Sequence, residues 1–511
     1  MRVPGAGRRL RRTVILNANV YARGDPMRSR FRTLVPLSML LVGSAGCTGE
    51  PEPPIPARVA GTITIASDHQ RLVKGFEWAR DAALGYAREG DPVGNWFEAA
   101  LPGREAFCMR DVSHQAEGAL ALGLYDHTLN MMRKFAASIS SKRDWCGYWE
   151  IDRYDRPAPV DYRSDEDFWY NLPANFDVVQ ASERAWEWTG DPAWLTDPTL
   201  AEFYRRTLND YVERWDEDGD GIMESPESAG IRGIPTYWEG EGPRAATGGD
   251  LVAAQYAANR AYARMLRSRD HPGDVSDAEE RDAEAARLRA LFNERWWSSE
   301  HGRFYGALLP GGAFDTTHVP AMQIFPLYFE IVTPERADPL FEGLEPGVNV
   351  EENSYLAEAH YRYGRDARAF GFLLAQMDPG LARRDYPENP FTAVGGVVRW
   401  LAGLRPLASA RTVETRSRLP PDVEWLELSD VPVLDGSLRL RHEGRASTRL
   451  TRQSGSWTRW RAVFAGRHEV LFVDGEPIAA TQRLTLAGEI ESFVELDLER
   501  GGTRSVSVPG H

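Results

Sequence analysis

Two neighbouring segments decide the fold: "DLVAAQYAANRAYARML" at residues 250–266 and "DAEERDAEAARLRALF" at residues 277–292. The first is apolar around almost its whole circumference, which is typical of a helix that packs on both sides. The second has one apolar stripe and a charged back, which is typical of a helix at the protein surface. A buried inner helix followed by an outer helix therefore predicts helices arranged in two layers.

The same alternation extends over most of the chain. Apolar periodicity predicts twelve helical segments, and the links between them alternate between short and long. The segments are 66–90, 111–123, 125–141, 173–190, 198–215, 248–268, 275–297, 318–330, 333–344, 352–363, 364–378 and 391–404. Six hairpins, each with an outer helix, a long loop and a buried inner helix, describe a mainly α protein with an (α/α)6 toroid. The long loops then gather at the N-terminal ends of the inner helices, where binding and catalysis concentrate.

The pattern changes near residue 405. Apolar residues then alternate with polar ones, between turns that contain glycine and aspartate, which predicts an antiparallel β-sandwich over 406–511. "RVAGTITIAS" at 58–67 also alternates and is a candidate for one more strand of this sandwich. We expect the helical barrel to span 61–405.

The N-terminal segment has the features of an export signal. Arg28, Arg30 and Arg32 precede the apolar run 34–46, and Cys47 follows it. The stretch "LVGSAGC" resembles a bacterial lipobox, in which the cysteine carries lipid. We therefore expect 1–47 to be an export segment, 48–60 to be a flexible linker, and Cys47 to anchor the protein in the outer membrane or periplasm. Cleavage by an ordinary signal peptidase, giving a secreted protein, is the alternative.

Charge and cysteine content narrow the function. The formal net charge of −15 argues against nucleic acid as a partner and against adsorption to anionic lipid, since both need a basic face. Besides Cys47 the chain has only Cys108 and Cys146, which form one disulfide bond or remain as two buried thiols. The only membrane contact predicted is the N-terminal lipid anchor.

The segment "WDEDGDGIMESPE" at 215–227 fits the calcium-loop pattern of an EF-hand. The predicted ligands are Asp216, Asp218, Asp220 and Glu227. The following "SAGIRGIPTYWEG" predicts no exiting helix, which argues against a calcium sensor. One structural Ca²⁺ near the long loops remains as one interpretation, and a tight turn without metal as the other.

Several longer segments resemble the six-hairpin glycosidases, in particular glycoside hydrolase families 63, 37 and 116. "WDEDGDGIMES…GIPTYWEGEG" and "ATGGDLVAAQYAA" are similar to their central loop and the inner helix that follows it. "VNVEENSYLAEAHYRYG" and "DYPENPFTAVGG" are similar to a later inner helix and the closing loop that carries the catalytic base. "GREAFCMRDVSHQAEG" at 103–118 resembles other six-hairpin groups, which include β-glucuronidases. The resemblance covers about 100–405 and implies a carbohydrate substrate.

Glycoside hydrolysis needs one protonated carboxyl group and one ionised carboxylate. Glu239 lies between Trp238 and Gly240, an apolar setting that suits the general acid. Glu388 in the sixth long loop suits the general base of an inverting reaction. Glu241 competes for the acid role, and Asp111 is the next candidate unless it only stabilises a helix N-terminus.

The same loops hold side chains suited to binding sugars, because aromatic faces stack on sugar rings and polar groups bind hydroxyls. The predicted binding residues are Arg110, His114, Trp149, Trp169, Tyr170, Trp238, Glu352 and Tyr386. The alternative for His114 is a structural role in the protein core. Of Glu351 and Glu352, we expect one to face the cleft and the other to cap a helix. A set of loop arginines favours a uronate or sulfate in the substrate: Arg110, Arg153, Arg156, Arg163, Arg232, Arg244 and Arg384.

The sequence thus predicts an exported glycoside hydrolase acting on oligo- or polysaccharides. A polysaccharide lyase is the first alternative, with Tyr148, Tyr170 or His318 as the base. A glycan-binding lipoprotein without catalysis is the second. The sequence contains no motif for a nucleophilic serine or cysteine, a phosphate loop or a zinc site.

Overall fold

The structure, a computed structural model, describes residues 62–237, 244–269, 271–317, 320–347 and 350–510. Several predicted residues lie outside these ranges: Cys47, Trp238, Glu239, Glu241 and His318. In the described ranges, no helix combines the length and apolar character needed to cross a membrane.

Each of the twelve predicted helical segments contains a helix. The α-helices are α1 (Gln70–Gly85), α2 (Met109–Ala121), α3 (Tyr125–Ser138), α4 (Ala174–Thr189), α5 (Ala193–Thr196), α6 (Pro198–Arg206), α7 (Val212–Trp215), α8 (Gly249–Ser268), α9 (Asp274–Arg295), α10 (Ile324–Tyr328), α11 (Pro334–Phe341), α12 (Val350–Arg362), α13 (Asp366–Gln376) and α14 (Glu388–Gly395). Two π-helical segments, Thr207–Tyr211 and Gly396–Leu401, continue α6 and α14.

The buried helices contact one another in a closed cycle. Helix α2 contacts α4, α4 contacts α8, α8 contacts α10, α10 contacts α12, α12 contacts α14, and α14 contacts α2. Helices α3, α9 and α13 pack against α2, α8 and α12 respectively, and α1 packs against α14. Burial follows the sequence pattern: α8 is buried on nearly every side, whereas α9 buries a single stripe.

The first and last buried helices meet backbone to backbone. A Cβ atom on Gly118 of α2 would lie 1.9 Å from the carbonyl oxygen of Phe391 in α14, so only glycine fits at this contact. Asp111 lies two turns before Gly118, and Glu388 lies about one turn before Phe391. The close approach therefore brings the N-terminal ends of both helices, and their acidic residues, into one region.

The β-strands form short pairs among the helices and two larger sheets in the C-terminal part, which is antiparallel except for one pair. The strands are β1 (Thr64–Ser67), β2 (Ala87–Asp91), β3 (Gly94–Phe97), β4 (Ala106–Cys108), β5 (Glu150–Asp152), β6 (Tyr162–Ser164), β7 (Asp167–Phe168), β8 (Thr247–Gly248), β9 (Trp297–Ser298), β10 (Arg303–Phe304), β11 (Ala307–Leu308), β12 (Leu404–Leu407), β13 (Thr412–Arg416), β14 (Trp425–Val433), β15 (Gly436–Glu443), β16 (Ser447–Arg452), β17 (Arg459–Ala465), β18 (Val470–Val473), β19 (Glu476–Ala479), β20 (Thr481–Leu484), β21 (Ile490–Asp497) and β22 (Thr503–Ser507).

Two large sheets account for the C-terminal strands. A seven-stranded sheet has the order β1-β14-β15-β16-β22-β18-β19, and a five-stranded sheet has the order β12-β13-β17-β21-β20. Strands β13 and β17 form the parallel pair. Strand β1 pairs with β14 in the register Thr64↔Ser429, so the N-terminal strand does join the C-terminal sheet. The other strands form short pairs that connect the long loops, such as β4 with β5.

Both cysteines of the described chain are free thiols. Cys108 and Cys146 are buried and not bonded to each other. Burial raises the pKa of each thiol, which keeps both protonated and unreactive at neutral pH.

Candidate active site

Acidic side chains occupy the first turns of five of the buried helices. They are Asp111 in α2, Asp177 in α4, Asp250 in α8, Glu351 and Glu352 in α12, and Glu388 in α14. A helix N-terminus favours negative charge, but burying a carboxylate away from water costs free energy. Asp111 and Glu388 are nevertheless only 2% and 1% exposed. This burial points to a role beyond helix stability.

Glu388 does not lie in a loop, as the sequence suggested, but is the first residue of α14. Pro390 made the sequence pattern favour a helix start at residue 391. The first turn of a helix accepts proline because its backbone N–H groups have no partner within the helix. Glu388 is therefore held by a helix, which fixes its position better than a loop would.

Glu388 contacts a histidine on α2, the helix next to α14 in the cycle. Its Oε1 lies 2.6 Å from Nδ1 of His114 on α2, and the His114 ring stacks on Tyr355 with 3.5 Å between ring centroids. Burial raises the pKa of Glu388 to about 8 and lowers the pKa of His114 to about 3, so the imidazole is neutral. Glu388 Oε2 is buried and has no hydrogen-bond partner among the described residues.

Asp111 lies in the same region. Tyr386 Oη donates a hydrogen bond of 3.1 Å to Asp111 Oδ2, and Arg110 Nε lies 3.5 Å from Asp111 Oδ1. Burial, and then the charge of Glu388, raise the pKa of Asp111 to about 8. Because an ionised Glu388 disfavours ionisation of Asp111, the two carboxyl groups keep at least one proton near neutral pH.

Aromatic rings surround Arg110. Its guanidinium carbon lies 5.8 Å from the ring centroid of Trp149 and 5.8 Å from that of Tyr237. Trp149 in turn packs edge-on against Trp169 at 4.5 Å. Tyr170 lies behind this group, fully buried, with its hydroxyl 2.6 Å from Asn175 Oδ1. The structure thus brings Arg110, Trp149 and Trp169 together and gives Tyr170 a supporting position.

The acidic residues of α12 flank the two carboxyls. Glu351 forms an ion pair of 2.7 Å with Arg383, whose guanidinium lies 4.7 Å from the Tyr386 ring. The charge of Glu351 contributes to the raised pKa of both Asp111 and Glu388. Glu352 is the next residue of the same first turn and is partly buried. Both glutamates thus lie in the first turn of α12, and Glu351 also forms the ion pair with Arg383.

Two aspartates that the sequence interpretation missed hold the chain just before the undescribed residues 238–243. Tyr237 Oη donates a hydrogen bond to Asp177. Asp250 Oδ2 accepts bonds of 2.7 Å from the Thr236 hydroxyl and from the backbone N–H of Tyr237. Burial raises the pKa of Asp177 to about 7 and that of Asp250 to about 6. A comparison of helix starts could have found both, since each lies in a first turn as Asp111 does.

The structure contradicts the expected basic cluster. Of the seven loop arginines, only Arg110 lies beside the carboxyl groups of Asp111 and Glu388. The other six contact groups elsewhere: Arg153 pairs with Asp91 and Glu105, Arg156 with Asp152, Arg163 with Asp167, and Arg232 with Asp144, while Arg244 binds backbone carbonyls and Arg384 lies over Trp78. Spacing along the sequence could not reveal these pairings.

The acidic loop after α7 brings four carboxylates together, but Glu224 replaces Glu227. Oxygens of Asp216, Asp218, Asp220 and Glu224 all lie within 4.8 Å of one another. The chain folds back, with Glu224 N–H donating to the Trp215 carbonyl, so Glu224 returns to Asp216. Glu227 begins a separate 3-10 helix. The sequence of residues 228–240 predicted no exiting helix, and the 3-10 helix Glu227–Arg232 follows the loop instead.

These four oxygens fit a hard cation. Ca²⁺ binds oxygens at about 2.3–2.6 Å, so ligands around one ion lie within about 5 Å of each other. Burial, followed by the charges of the neighbouring aspartates, raises the pKa of Glu224 to about 7. The loop also holds itself through backbone N–H bonds to Asp216, for example from Gly221 at 2.8 Å.

Comparison with known proteins supports the fold. No protein-family model and no curated protein matches the sequence. Among solved structures, an α-L-rhamnosidase from Dictyoglumus thermophilum aligns over 88% of this chain and 50% of its own, with a TM-score of 0.58 and 12% identity. A GH78 family rhamnosidase of Bacillus sp. GL1 aligns over 77% of this chain and 40% of its own, with a TM-score of 0.56 and 15% identity.

The chain resembles the six-hairpin glycosidases. At these identities the likeness concerns the fold alone, and the chain spans half or less of the length of both rhamnosidase chains. The Bacillus enzyme belongs to family 78, whereas the sequence motifs are similar to families 63, 37 and 116.

Proposed function

We propose that the protein is a glycoside hydrolase that acts at the N-terminal ends of its buried helices. One observation carries the proposal: Asp111 and Glu388 are both buried, and they are close enough for the charge of Glu388 to act on Asp111. The pKa of each is raised to about 8. Within the described residues, Glu388 Oε2 has no hydrogen-bond partner, and Asp111 Oδ1 has only the charge of Arg110, whose Nε lies 3.5 Å away. A buried oxygen without a partner costs free energy, and a sugar hydroxyl or a water molecule would remove that cost.

The proposed architecture is an (α/α)6 toroid. The closed cycle of contacts from α2 through α14 and back supports it, as do the outer helices packed on this cycle. In such a toroid the first turns of the buried helices surround one opening. The acidic residues of these turns would then line the mouth of a single cleft.

In the proposed mechanism Glu388 is the general base. Its ionised carboxylate removes a proton from a water molecule, and the water oxygen bonds to the anomeric carbon from the face opposite the leaving group. The bond from that carbon to the glycosidic oxygen breaks, and a carboxyl acid gives the departing oxygen its proton. This displacement inverts the configuration and needs about 6.5–9.5 Å between the two carboxyls.

Two residues are candidates for the acid. Glu239 remains the candidate from the sequence, with Glu241 as its neighbour. Asp111 is the candidate from the structure, because burial, and then the charge of Glu388, raise its pKa and keep it protonated. Asp111 is also held by Tyr386, which would orient its proton.

We propose a neutral sugar as the group bound beside these residues. An anionic uronate would meet the acids of five helix ends and, among the seven arginines expected there, only Arg110. Charged acceptors suit sugar hydroxyl donors, since such hydrogen bonds are shorter and stronger than neutral ones. Trp149 offers an apolar face next to Arg110.

The lyase alternative has weaker support. A lyase needs a base that loses its proton near neutral pH, but burial raises the pKa of Tyr170 well above its usual value. The Tyr148 ring lies under the Arg143 guanidinium, whose carbon is 4.3 Å from the ring centroid. A lyase also requires an anionic substrate, which the acidic helix ends disfavour.

We further propose that the protein is exported with a lipid on Cys47 and that the loop at 216–224 binds one structural Ca²⁺. The basic and apolar segments before Cys47 support the first part, and the four clustered carboxylates support the second. A mature form that begins beyond Cys47 and stays in the aqueous phase after detergent partition would contradict the lipid anchor.

Release of the aglycone from a panel of aryl glycosides tests the proposed function. Aryl α-L-rhamnosides come first, because two structures with this fold are rhamnosidases, followed by glucosides, galactosides and glucuronides. We expect turnover of a neutral glycoside that is lost in Glu388→Gln, and proton NMR should show inversion at the anomeric carbon. Unsaturated products absorbing in the ultraviolet would instead indicate a lyase, and binding without turnover would indicate a glycan-binding protein.

A further inference from the structure

A cavity of about 460 Å³ lies at the opposite ends of the buried helices, against the five-stranded sheet. Residues of α2, α4, α8 and α12 line it on one side, and residues of β12, β13 and β20 line it on the other. Glu117, which lines this cavity, is two turns along α2 from Asp111 at the proposed active site. The lining does not include Asp111, His114 or Glu388.

Positive charge is in excess in this cavity. Nine arginines and six glutamates line it, although the whole protein has a net charge of −15. Five of these glutamates have arginine partners: for example, Glu183 accepts two bonds from Arg264, of 2.6 and 3.0 Å, and Glu330 pairs with Arg362 at 2.7 Å. The sixth, Glu187, accepts a hydrogen bond from the Ser409 hydroxyl. Carboxylates just outside the lining pair with others, Asp366 with Arg418 at 3.3 Å and Glu489 with Arg416 at 3.9 Å. Among the described residues, two lining arginines remain without a carboxylate within 3.5 Å.

Arg405 and Arg399 are these two arginines. Arg405 on β12 is exposed and makes no ion pair within 4.0 Å with any residue of the described ranges. Arg399 donates to the Leu404 carbonyl at 3.5 Å, and among the described residues its one ion pair within 4.0 Å is with Glu117, at 3.9 Å. Burial lowers the pKa of Arg399 to about 10, and the charges of Arg405 and Arg362 contribute to that lowering while Glu117 opposes it. Like charges that are partly removed from water repel one another, and an anion between them would relieve the repulsion.

The walls also suit an anion of some size. Trp400 forms part of the lining, and the guanidinium carbons of Arg362 and Arg399 lie 4.9 and 5.6 Å from its ring centroid. Arg362 already donates to Glu330 and Glu358. A guanidinium that stacks on a ring can still donate to oxygen atoms in its plane, and the planar fork of Arg399 matches phosphate and carboxylate groups. The volume lies within the range of ordinary small-molecule sites.

We propose that this cavity binds a small oxyanion with two or more negative charges, of phosphate or polycarboxylate chemistry, and that the anion joins the helical part to the β-sheets. Arg405 from β12 and Arg399 from the segment after α14 are the principal ligands. The anion supplies the negative charge that the lining lacks. This inference does not depend on the proposed hydrolysis.

Thermal unfolding at constant ionic strength tests the proposal, with inorganic phosphate and citrate as probes and chloride as the reference salt. We expect a saturable rise in Tm with phosphate or citrate beyond that with chloride, because a ligand bound only by the folded state stabilises it. In Arg405→Gln this rise should fall to a small fraction, whereas Arg449→Gln, a change at an exposed arginine on β16, should keep it.

Charge reversal gives a second, independent measurement. Arg405→Glu places a negative charge where the anion would bind, so phosphate should no longer raise its Tm. Equal phosphate responses in wild type and Arg405→Gln would overturn the proposal. So would a phosphate-dependent rise in the Tm of Arg405→Glu as large as that of the wild type.

Discussion

His114 Nδ1 lies 2.6 Å from Glu388 Oε1, although 274 positions separate the two residues in the sequence. The contact joins α2 to α14, the first and last helices of the closed cycle. Because the His114 ring is neutral and stacked on Tyr355, its Nδ1–H can donate to an ionised Glu388 and hold that carboxylate in one orientation. We therefore regard His114 as a positioning residue for the proposed base.

Removal of this contact should change catalysis more than binding. In His114→Ala we expect kcat to fall by about tenfold to a hundredfold with a smaller change in KM, since misplacement of a catalytic group is costly. Loss of the donor should also raise the pKa of Glu388, so the acidic limb of the pH–rate profile should move to higher pH. His114→Asn, which keeps a short N–H donor, should recover part of the activity. An unmoved acidic limb would mean that His114 is a core residue only.

Glu388→Gln should abolish turnover. The amide keeps the size of the side chain but cannot accept a proton from water, so we expect kcat to fall by about a thousandfold or more, the upper range for a lost acid–base group. Circular dichroism and the substrate Kd should stay near those of the wild type. Glu279→Gln, a matched change at an exposed carboxylate, should leave kcat unchanged. Azide should not restore a product of retained configuration, because the proposed reaction inverts.

Leaving-group dependence separates the two candidate acids. A poor leaving group needs a proton, whereas an activated aryl group does not. The variant that lacks the acid should therefore lose far more activity on an alkyl or sugar leaving group than on a nitrophenyl one. We expect this pattern for Glu239→Gln or for Asp111→Asn, but not for both. Equal losses on all substrates in both variants would exclude both residues as the acid.

The raised pKa values predict how stability depends on pH. The folded-state pKa of Glu388 is about 8, against an unfolded value of about 4.3, so the folded protein binds more protons between these values. The stability gained from the buried, protonated carboxyl is complete below about pH 4 and is lost as the pH rises through about 8. Glu388→Gln lacks this proton, so its free energy of unfolding should rise relative to the wild type between pH 5 and about 8.

Urea unfolding of both proteins at several pH values measures this difference. Asp111→Asn should behave in the same way, because the pKa of Asp111 is also raised to about 8. Glu279→Gln should run parallel to the wild type. Parallel curves for Glu388→Gln as well would show that the carboxyl titrates at its ordinary pKa and is not buried as described.

Local patterns in the sequence were enough to predict most of the helices and the C-terminal sheets. Apolar periodicity is set by neighbouring residues, so the contrast between 250–266 and 277–292 appears directly as a buried α8 and a surface α9. The strand near residue 65 was also predictable, since its alternation is local. The start of α14 was misplaced because Pro390 marks a helix boundary in some sequences and a first turn in others.

The site was harder to predict because its contacts are not local. Nothing near residue 114 in the sequence shows that His114 reaches Glu388 or that the two helices cross at Gly118. Asp177 and Asp250 have ordinary sequence surroundings and become distinctive only when the helix ends are brought together. The charge of the site could not be predicted either, since pairing of the loop arginines with carboxylates elsewhere depends on the folded chain.

Calcium removal should destabilise the protein through the loop at 216–224. Ligands that bind only the folded state stabilise it, by about 2.7 kcal/mol at a free concentration one hundred times Kd. We expect a chelator to lower Tm by several degrees, and Ca²⁺ to restore it. Because the structure places Glu224 and not Glu227 beside the three aspartates, Glu224→Gln should weaken the Ca²⁺ response. Glu227→Gln, a matched change three residues away, should retain the full response.

Two outcomes would contradict this assignment. A chelator effect that is lost in Glu227→Gln but kept in Glu224→Gln would support the ligand set of the EF-hand pattern. If chelator has no effect on the wild type or on either variant, the loop is a turn that binds no metal.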